Sequence, residues 1–494
     1  MISRINVLFV ASEAAPFVKV GGLADVAGSL PLALRRISST TGGRPVDVDI
    51  RLVIPYHPTI HIERFTPQKI TKYAIPTVDG EIHAQAYSLE IDGLPVYLIG
   101  GPLIDKEPAV YSADLEADGY KYVFFSLAAL ELTRKLGWKF NILHANDWHT
   151  AAAVYALALN RSTDPFFYQT TSVLTIHNLP YLGSMTSSAL KTFGLPPANH
   201  SVLPVWAQHM ALPLGLLTAD SIVAVSPEYA KEILSEEFGS GLDSFLKTRS
   251  EVISGILNGL DIDKWNPGID AGLAANFSPS NLASRIINKT FLQKQLVLEI
   301  NPRIPMIAMV TRMDPQKGVD LAVDALRMLL QASPDHVPLF QVIFLGTGNT
   351  ALEDEVRLLE QDYPQQVRAR IMFDEQFSHH IYAGSDLLLM PSRYEPCGLS
   401  QMIAMHYGCV PLAHATGGLS DTIQDSAETD MSTGFLFKQA EPDALANAIQ
   451  CALHVYLEDP VEWQAIQIRG MQQDFSWDRS AREYLKKYQL LLGG

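Results

Sequence analysis

The sequence predicts an α/β protein built from two Rossmann-like, doubly wound domains in tandem. Three observations predict it. Apolar runs of strand length recur along the 494 residues, most of them followed by a helical pattern, the rhythm of parallel sheets covered on both faces. Polar residues gather just after those runs, where open α/β sheets bind ligands. Between the two series, Gly268 to Leu282 is rich in Gly, Asn, Ser and Pro, a composition that suits a linker or hinge.

The bulk numbers narrow the classes. Hydrophobic residues at 47% and charged residues at 18% describe a globular chain long enough for two or three domains. A formal net charge of -16 without a Lys/Arg block argues against a general nucleic-acid binder, while leaving single phosphate-binding lysines available. Cys397, Cys409 and Cys451 offer neither a disulfide framework nor a close metal pair, so a reducing compartment is expected. Ile5 to Ala11 is too short to span a membrane and meets Glu13 at once. It reads as the first buried strand rather than a signal peptide.

In chain order, that first strand leads to a loop, Ser12 to Leu23, and a helix through Val26, Leu30 and Leu34. Lys19 with Gly21 and Gly22 before the helix can form a diphosphate seat, in which glycines let the backbone approach and helix N–H groups face an anion. A tight turn with a solvated lysine is the plainer reading, and neither G-x-G-x-x-G nor a Walker A pattern is present. Asp49 to Pro55 is the next strand. His61 to Gly100 alternates about turns at Asp79-Gly80 and Asp92-Gly93, predicting an antiparallel excursion or a mixed sheet edge. Tyr120 to Leu136 reads as helix.

Asn141 to Thr150 is a strand ending in His144, Asp147 and His149, then an alanine-rich helix. This cluster can be a metal site, structural capping, or hydrogen bonding to a polar ligand. His177 and Asn178 end another strand, and Asp220 to Pro227 makes a third, with Pro227 opening a helix. From Pro305 the rhythm is clean: strands at Met306 to Val310, Val342 to Leu345, Ile371 to Phe373 and Leu387 to Met390, each followed by a helix. After the last of these, Arg393 and Glu395 lie past a strand's carboxyl end, and Cys397-Gly398-Leu399-Ser400 opens the next helix. That combination suggests a ligand polar at one end and phosphorylated at the other. Thr416 to Thr422 repeats two glycines at a helix start, and the last helix carries Ala481, Tyr484 and Tyr488 on one stripe.

The stretches KVGGLADV (Lys19 to Val26), HANDWHT (His144 to Thr150), TIHNLPYLG (Thr175 to Gly183), GILNGLDIDKWNP (Gly255 to Pro267), TRMDPQKG (Thr311 to Gly318), PSRYEPCGLSQ (Pro391 to Gln401) and TGGLSDT (Thr416 to Thr422) together resemble the bacterial glycogen synthases and plant starch synthases. These are retaining glucosyltransferases of the GT-B fold. The resemblance implies two Rossmann-like domains facing across a cleft; the sequence divides them as 1–262 and 263–472, with residues 473–494 a helix whose apolar stripe has to pack on something and is expected to cross back to the first. It implies ADP-glucose as donor, an α-1,4-glucan acceptor, no cofactor, no metal and a bacterial cytoplasm. Carried over by position, catalytic roles fall to His149, Arg312, Lys317 and Glu395. Donor binding falls to Lys19, Gly21, Gly22, Asn258, Phe373, Cys397, Gly398 and Leu399, and further sugar or acceptor contacts to Asp25, Asp118, His177 and Asn178. Lys19 and His149 stand in the first domain and Arg312, Lys317 and Glu395 in the second, so the resemblance implies a site completed by closure.

The sequence departs from the family's pattern at Asn146, Leu182, Pro213 and His406, where histidine, glutamine, lysine and a lysine or arginine are common. A phenylalanine, Phe373, stands where a tyrosine usually stacks the nucleobase. A UDP-glucose-dependent synthase, a related transferase with another acceptor, and a glucan-binding protein without turnover are the alternatives.

Overall fold

The computed structural model describes residues 4–37, 39–41, 44–60, 65–332, 339–427 and 431–493. They fall into two units, Met1–Gly259 with Trp477–Gly494, and Leu260–Ser476. The divisions lie at 259/260 and 476/477, against the expected 262/263 and 472/473.

In the first unit, apolar strands assemble a sheet from β1 (Arg4–Val10), β2 (Ser39–Thr41), β3 (Arg44–Pro55), β4 (Gln68–Thr77), β5 (Gly80–Ile91), β6 (Leu94–Gly100), β7 (Ile142–Asn146), β8 (Thr171–Ile176), β9 (Ser221–Ala224) and β10 (Ile253–Gly255). The order is β10-β9-β8-β7-β1-β3-β6-β5-β4, with β2 paired to β3. Every pair from β10 to β6 is parallel, and β5 and β4 add an antiparallel edge. This is the mixed edge expected from the turns at Gly80 and Gly93; residues 61–64 of that stretch lie outside the described residues. Because side chains alternate along a strand, Ile5, Val7 and Phe9 enter one apolar cluster, and Leu8 and Val10 are buried on the other face.

That cluster is closed by two helices remote in sequence, Gly22–Arg36 and Trp477–Leu491, which pack on one another. Leu23, Val26, Leu30 and Leu34 meet Trp477, Ala481, Tyr484 and Tyr488 in it. Tyr484 and Tyr488 are fully buried, each worth about 1.5–3 kcal/mol relative to exposure. The Tyr488 hydroxyl lies 2.6 Å from His144 Nδ1, and His144 Nε2 lies 2.8 Å from Thr175 Oγ1. The last helix is thereby fastened to β7 and β8.

The second unit is a fully parallel sheet of β11 (Met306–Val310), β12 (Gln341–Gly346), β13 (Val367–Ile371), β14 (Leu387–Met390), β15 (Val410–His414) and β16 (Phe435–Phe437), ordered β13-β12-β11-β14-β15-β16. The chain winds one way from β11 to β13 and then the other way from β14, so the loops after β11 and β14 meet at the reversal, where α/β sheets bind ligands.

Several expectations are corrected. The strand placed at Ile371 to Phe373 ends at Ile371, leaving Phe373 in the following loop with 82% of its surface exposed. The helix placed at Tyr120 begins at Leu115, capped by the Asp114 carboxylate. Gly268 to Leu282 is not a loose linker: Asp270 Oδ2 lies 2.7 Å from His379 Nδ1 and accepts from Tyr407 Oη at 2.6 Å, and Phe277 is buried. Just before it, Trp265 stacks on His379 at 4.1 Å. Composition alone does not reveal such anchoring, because turn residues also make ordered loops.

Candidate active site

In the second unit the β11 loop brings Lys317 beside Glu395 of the β14 loop. Lys317 Nζ donates to Glu395 Oε2 at 2.6 Å, and the Ser392 hydroxyl donates to the same oxygen at 3.0 Å. These residues, with Thr311, Gly398, Leu399 and Ser400, line a small cavity of about 50 Å³. A larger one of about 410 Å³, around Ser420, Asp425 and Lys438, contains none of the expected site residues.

Backbone geometry makes the two loops fit. Gly318 has φ 65°, and a Cβ there would stand 2.1 Å from the Pro391 carbonyl oxygen. Only glycine accommodates both conditions. Arg393 does not face the cavity; it forms a two-pronged ion pair with Asp320. Arg312 is exposed and makes no side-chain hydrogen bond or ion pair within the described residues, so its guanidinium is available to an anion. Cys397 is buried. The helix after Leu399 has only seven residues, Ser400–His406.

In the first unit the loop after β1 holds a group that sequence reasoning missed. The buried Glu13 carboxylate accepts from Val20 N at 2.5 Å and from Gly21 N at 3.2 Å, and Tyr111 Oη donates to it at 2.9 Å. Of the backbone expected to face a diphosphate, the Gly21 amide is thus filled by the protein's own anion, together with the amide of Val20 before it. Burial raises the Glu13 pKa, opposed by those hydrogen bonds. Lys19 Nζ donates to Asp25 at 2.8 Å, and the helix begins at Gly22. The signal for Glu13 was its position directly past a buried strand.

Asp147 sits at φ 55°, a strained setting for a residue with a side chain. Its carboxylate accepts from His177 N at 2.7 Å, and the Asn178 N–H lies at 3.4 Å, tying the end of β7 to the end of β8. Burial pushes its pKa up to about 7. His149 follows, ringed by Tyr111, Tyr122 and Trp148 at centroid distances of 4.9, 4.6 and 4.2 Å. Its buried Nδ1 has no hydrogen-bond partner among the described residues, and neither do Asn178 Oδ1 and Asn258 Oδ1. Unpaired buried polar atoms at a strand's carboxyl end are what a hydroxyl-rich ligand would satisfy.

Of the three readings of the His144 cluster, the structure assigns His144 and Asp147 to internal bonding. Among the described residues no group of three or more His, Cys, Asp or Glu side chains could hold a metal ion. Asp118 is buried rather than set to meet a sugar. It pairs with Lys121 at 2.6 Å and accepts from Ser112 N, while Lys121 donates to the Ala109 and Val110 carbonyls. The pair therefore supports the loop that presents Tyr111. Among the departures, Pro213 is buried in the first turn of helix Ala211–Thr218, where proline costs little, and His406 Nδ1 is bonded to the Trp265 carbonyl. Asn146 is engaged with Val10 and His177.

Residues 6–248 match the family model described as starch synthase catalytic domain, and residues 293–465 match glycosyl transferases group 1. A glycogen synthase of Thermotoga maritima is 38% identical over 502 residues, covering 99% of each chain. The catalytic domain of starch synthase IV from Arabidopsis thaliana, solved with ADP and acarbose, superposes with a TM-score of 0.87 at 31% identity over 100% of both chains. A sucrose-phosphate synthase from Thermosynechococcus elongatus has a TM-score of 0.60 at 19% identity over 99% of each chain, a likeness of fold alone.

Proposed function

The chain belongs to the glycogen and starch synthase family of GT-B glycosyltransferases, and we propose that it transfers glucose from ADP-glucose to the non-reducing end of an α-1,4-glucan with retention of configuration. The observation that carries this reading is the Lys317–Glu395–Ser392 cluster at the winding reversal of the second sheet. The reaction must stabilise negative charge on a departing diphosphate and positive charge at the anomeric carbon. Arg312 and Lys317 answer the first need. The Glu395 carboxylate answers the second, beside the sugar. Retention is what the family resemblance implies, and because the sequence offers no clear pair of carboxylates for acid and nucleophile we assign it to same-face attack, with the leaving phosphate oxygen taking the acceptor's proton.

On this reading Phe373 is the nucleobase platform, its ring being freely exposed. Lys19, Gly21 and Gly22 border the donor, with Gly22 left to offer its amide while Glu13 holds the two before it. Asn258, Cys397, Gly398 and Leu399 line the donor region. His149, His177, Asn178 and Asp25 serve the sugars. The positive charge that meets the departing diphosphate comes from side chains, so turnover proceeds without added metal. A bacterial cytoplasm is the proposed setting, supported by the bacterial relatives; among the described residues no helix is long and apolar enough to cross a membrane.

The test is nucleotide release from ADP-glucose and UDP-glucose, with and without glycogen, in the presence of a chelator, for the parent and Glu395→Ala. Glycogen-dependent ADP release that collapses in the variant supports the reading. Release from UDP-glucose alone changes the donor, glycogen binding without release leaves a binding protein, and a product of inverted configuration defeats same-face attack.

A further inference from the structure

A neutral imidazole has one N–H and one lone pair, and its neighbours decide which nitrogen carries which. At His177 they leave one answer. Asn146, fully buried at the end of β7, donates through Nδ2 to the Val10 carbonyl at 3.0 Å. A backbone carbonyl only accepts, so the amide nitrogen faces Val10 and the amide oxygen faces the other way. That oxygen stands 2.9 Å from His177 Nε2. Being an acceptor only, it requires the hydrogen on Nε2. The lone pair is then at Nδ1.

Burial holds the ring neutral, its pKa pushed down to about 3. His144, equally neutral, spends both nitrogens inside the protein. His177, a half-buried residue, spends one and leaves Nδ1 without a hydrogen-bond partner among the described residues. We propose that Asn146 is a positioning residue that fixes His177 as the Nε2-protonated form, so that Nδ1 accepts a hydrogen bond from a hydroxyl of the transferred glucose. The inference rests on the reading that His177 serves the donor sugar. It adds a rule of specificity: at one carbon the sugar must offer a hydrogen, and a group that only accepts is refused.

Two measurements test it. The first is the ¹⁵N spectrum of histidine-labelled full-length protein, with His177→Asn identifying the signals. A protonated Nε2 and a bare Nδ1 are expected in the parent, and a mixture of both forms in Asn146→Leu. A protonated Nδ1 in the parent overturns the proposal, and this readout stands even where Asn146→Leu fails to fold. The second compares ADP-glucose analogues deoxygenated or fluorinated at C3, C4 or C6. At one position both analogues should lose roughly tenfold in kcat/KM, since fluorine accepts but does not donate, and the loss should shrink to about twofold in His177→Ala. A fluoro analogue that performs like glucose where the deoxy analogue fails would show His177 donating, overturning the proposal. If no position separates the parent from His177→Ala, the assignment of His177 to the donor sugar fails and takes the proposal with it; the reading of Lys317 and Glu395 is untouched.

Discussion

Lys317 and Glu395 hold each other, Nζ to Oε2 at 2.6 Å, with side chains only 18% and 7% exposed. On the proposed function an incoming diphosphate competes with a carboxylate for the ammonium. Glu395→Gln should relieve that competition and tighten ADP binding by about threefold to tenfold, read by calorimetry, while turnover falls by roughly 10²-fold or more. Weaker ADP binding in this variant would show that the pair does not compete with the nucleotide. Lys317→Ala should lower kcat/KM by about 10²- to 10³-fold.

Glu13 supplies the acceptor for two backbone amides and a phenol. Removing it strands those donors, at about 1–3 kcal/mol for each that stays buried and unpaired. Glu13→Ala should thus lower unfolding free energy by about 2–4 kcal/mol in denaturant titrations and raise the donor KM through the loosened Lys19 loop. Glu13→Gln, which can still accept from Val20 and Gly21, should lose about half as much. Equal losses in both variants would make charge, not accepting capacity, the important property.

Asp147 titrates near 7 instead of 3.8 because it is buried. Between roughly pH 4 and 7 the folded protein keeps a proton here that the unfolded chain has released, so this group weakens folding as pH rises through that window. The neighbouring histidines act on the acid side. His57 is held down to about 4 and His144 and His177 to about 3, so the unfolded chain takes protons first, and stability falls as pH drops below 6.5. Asp147→Asn keeps an acceptor for the His177 amide and removes only the first effect. Its stability relative to the parent should rise from pH 4 to pH 7 and stay level below pH 4, as measured by unfolding across a pH series.

Gly318→Ala combines φ 65° with a Cβ 2.1 Å from the Pro391 carbonyl oxygen. One of the two loops has to move, carrying Lys317 or Glu395 with it. The variant should lose at least about 2 kcal/mol of stability and most of its kcat. Gly22→Ala, at a position where a Cβ meets nothing within 4 Å, should fold as the parent does.

The strands were legible because parallel sheets bury both faces and write their strands as apolar runs. Met306–Val310 and Leu387–Met390 are where the sequence reading puts them. The strand expected over Ile371 to Phe373 ends at Ile371, because Asp374 already caps the next helix and leaves Phe373 in the short connection between them. Gly268 to Leu282 was misread because its anchors, His379 and Tyr407, lie about a hundred residues further on or more. Around the candidate site, the motifs in the sequence point to Lys317 and Glu395 and not to the residues that support them. Glu13, Tyr111 and Ser392 act by contacts over sequence separations from 3 to 98, and the role of Asn146 follows only from what lies on either side of its amide.

The fastening of Tyr488 to His144 has a consequence for biosynthesis. As the ribosome works from the first residue, the chain of the second unit, Leu260–Ser476, is complete before the helix that closes the first has been made. Until then the groove for Tyr484 and Tyr488 lies open and apolar, a surface for chaperones to hold. A nascent chain cut short before Trp477 still lacks the last wall of its first core, so that core closes only after the whole of the second unit has been made.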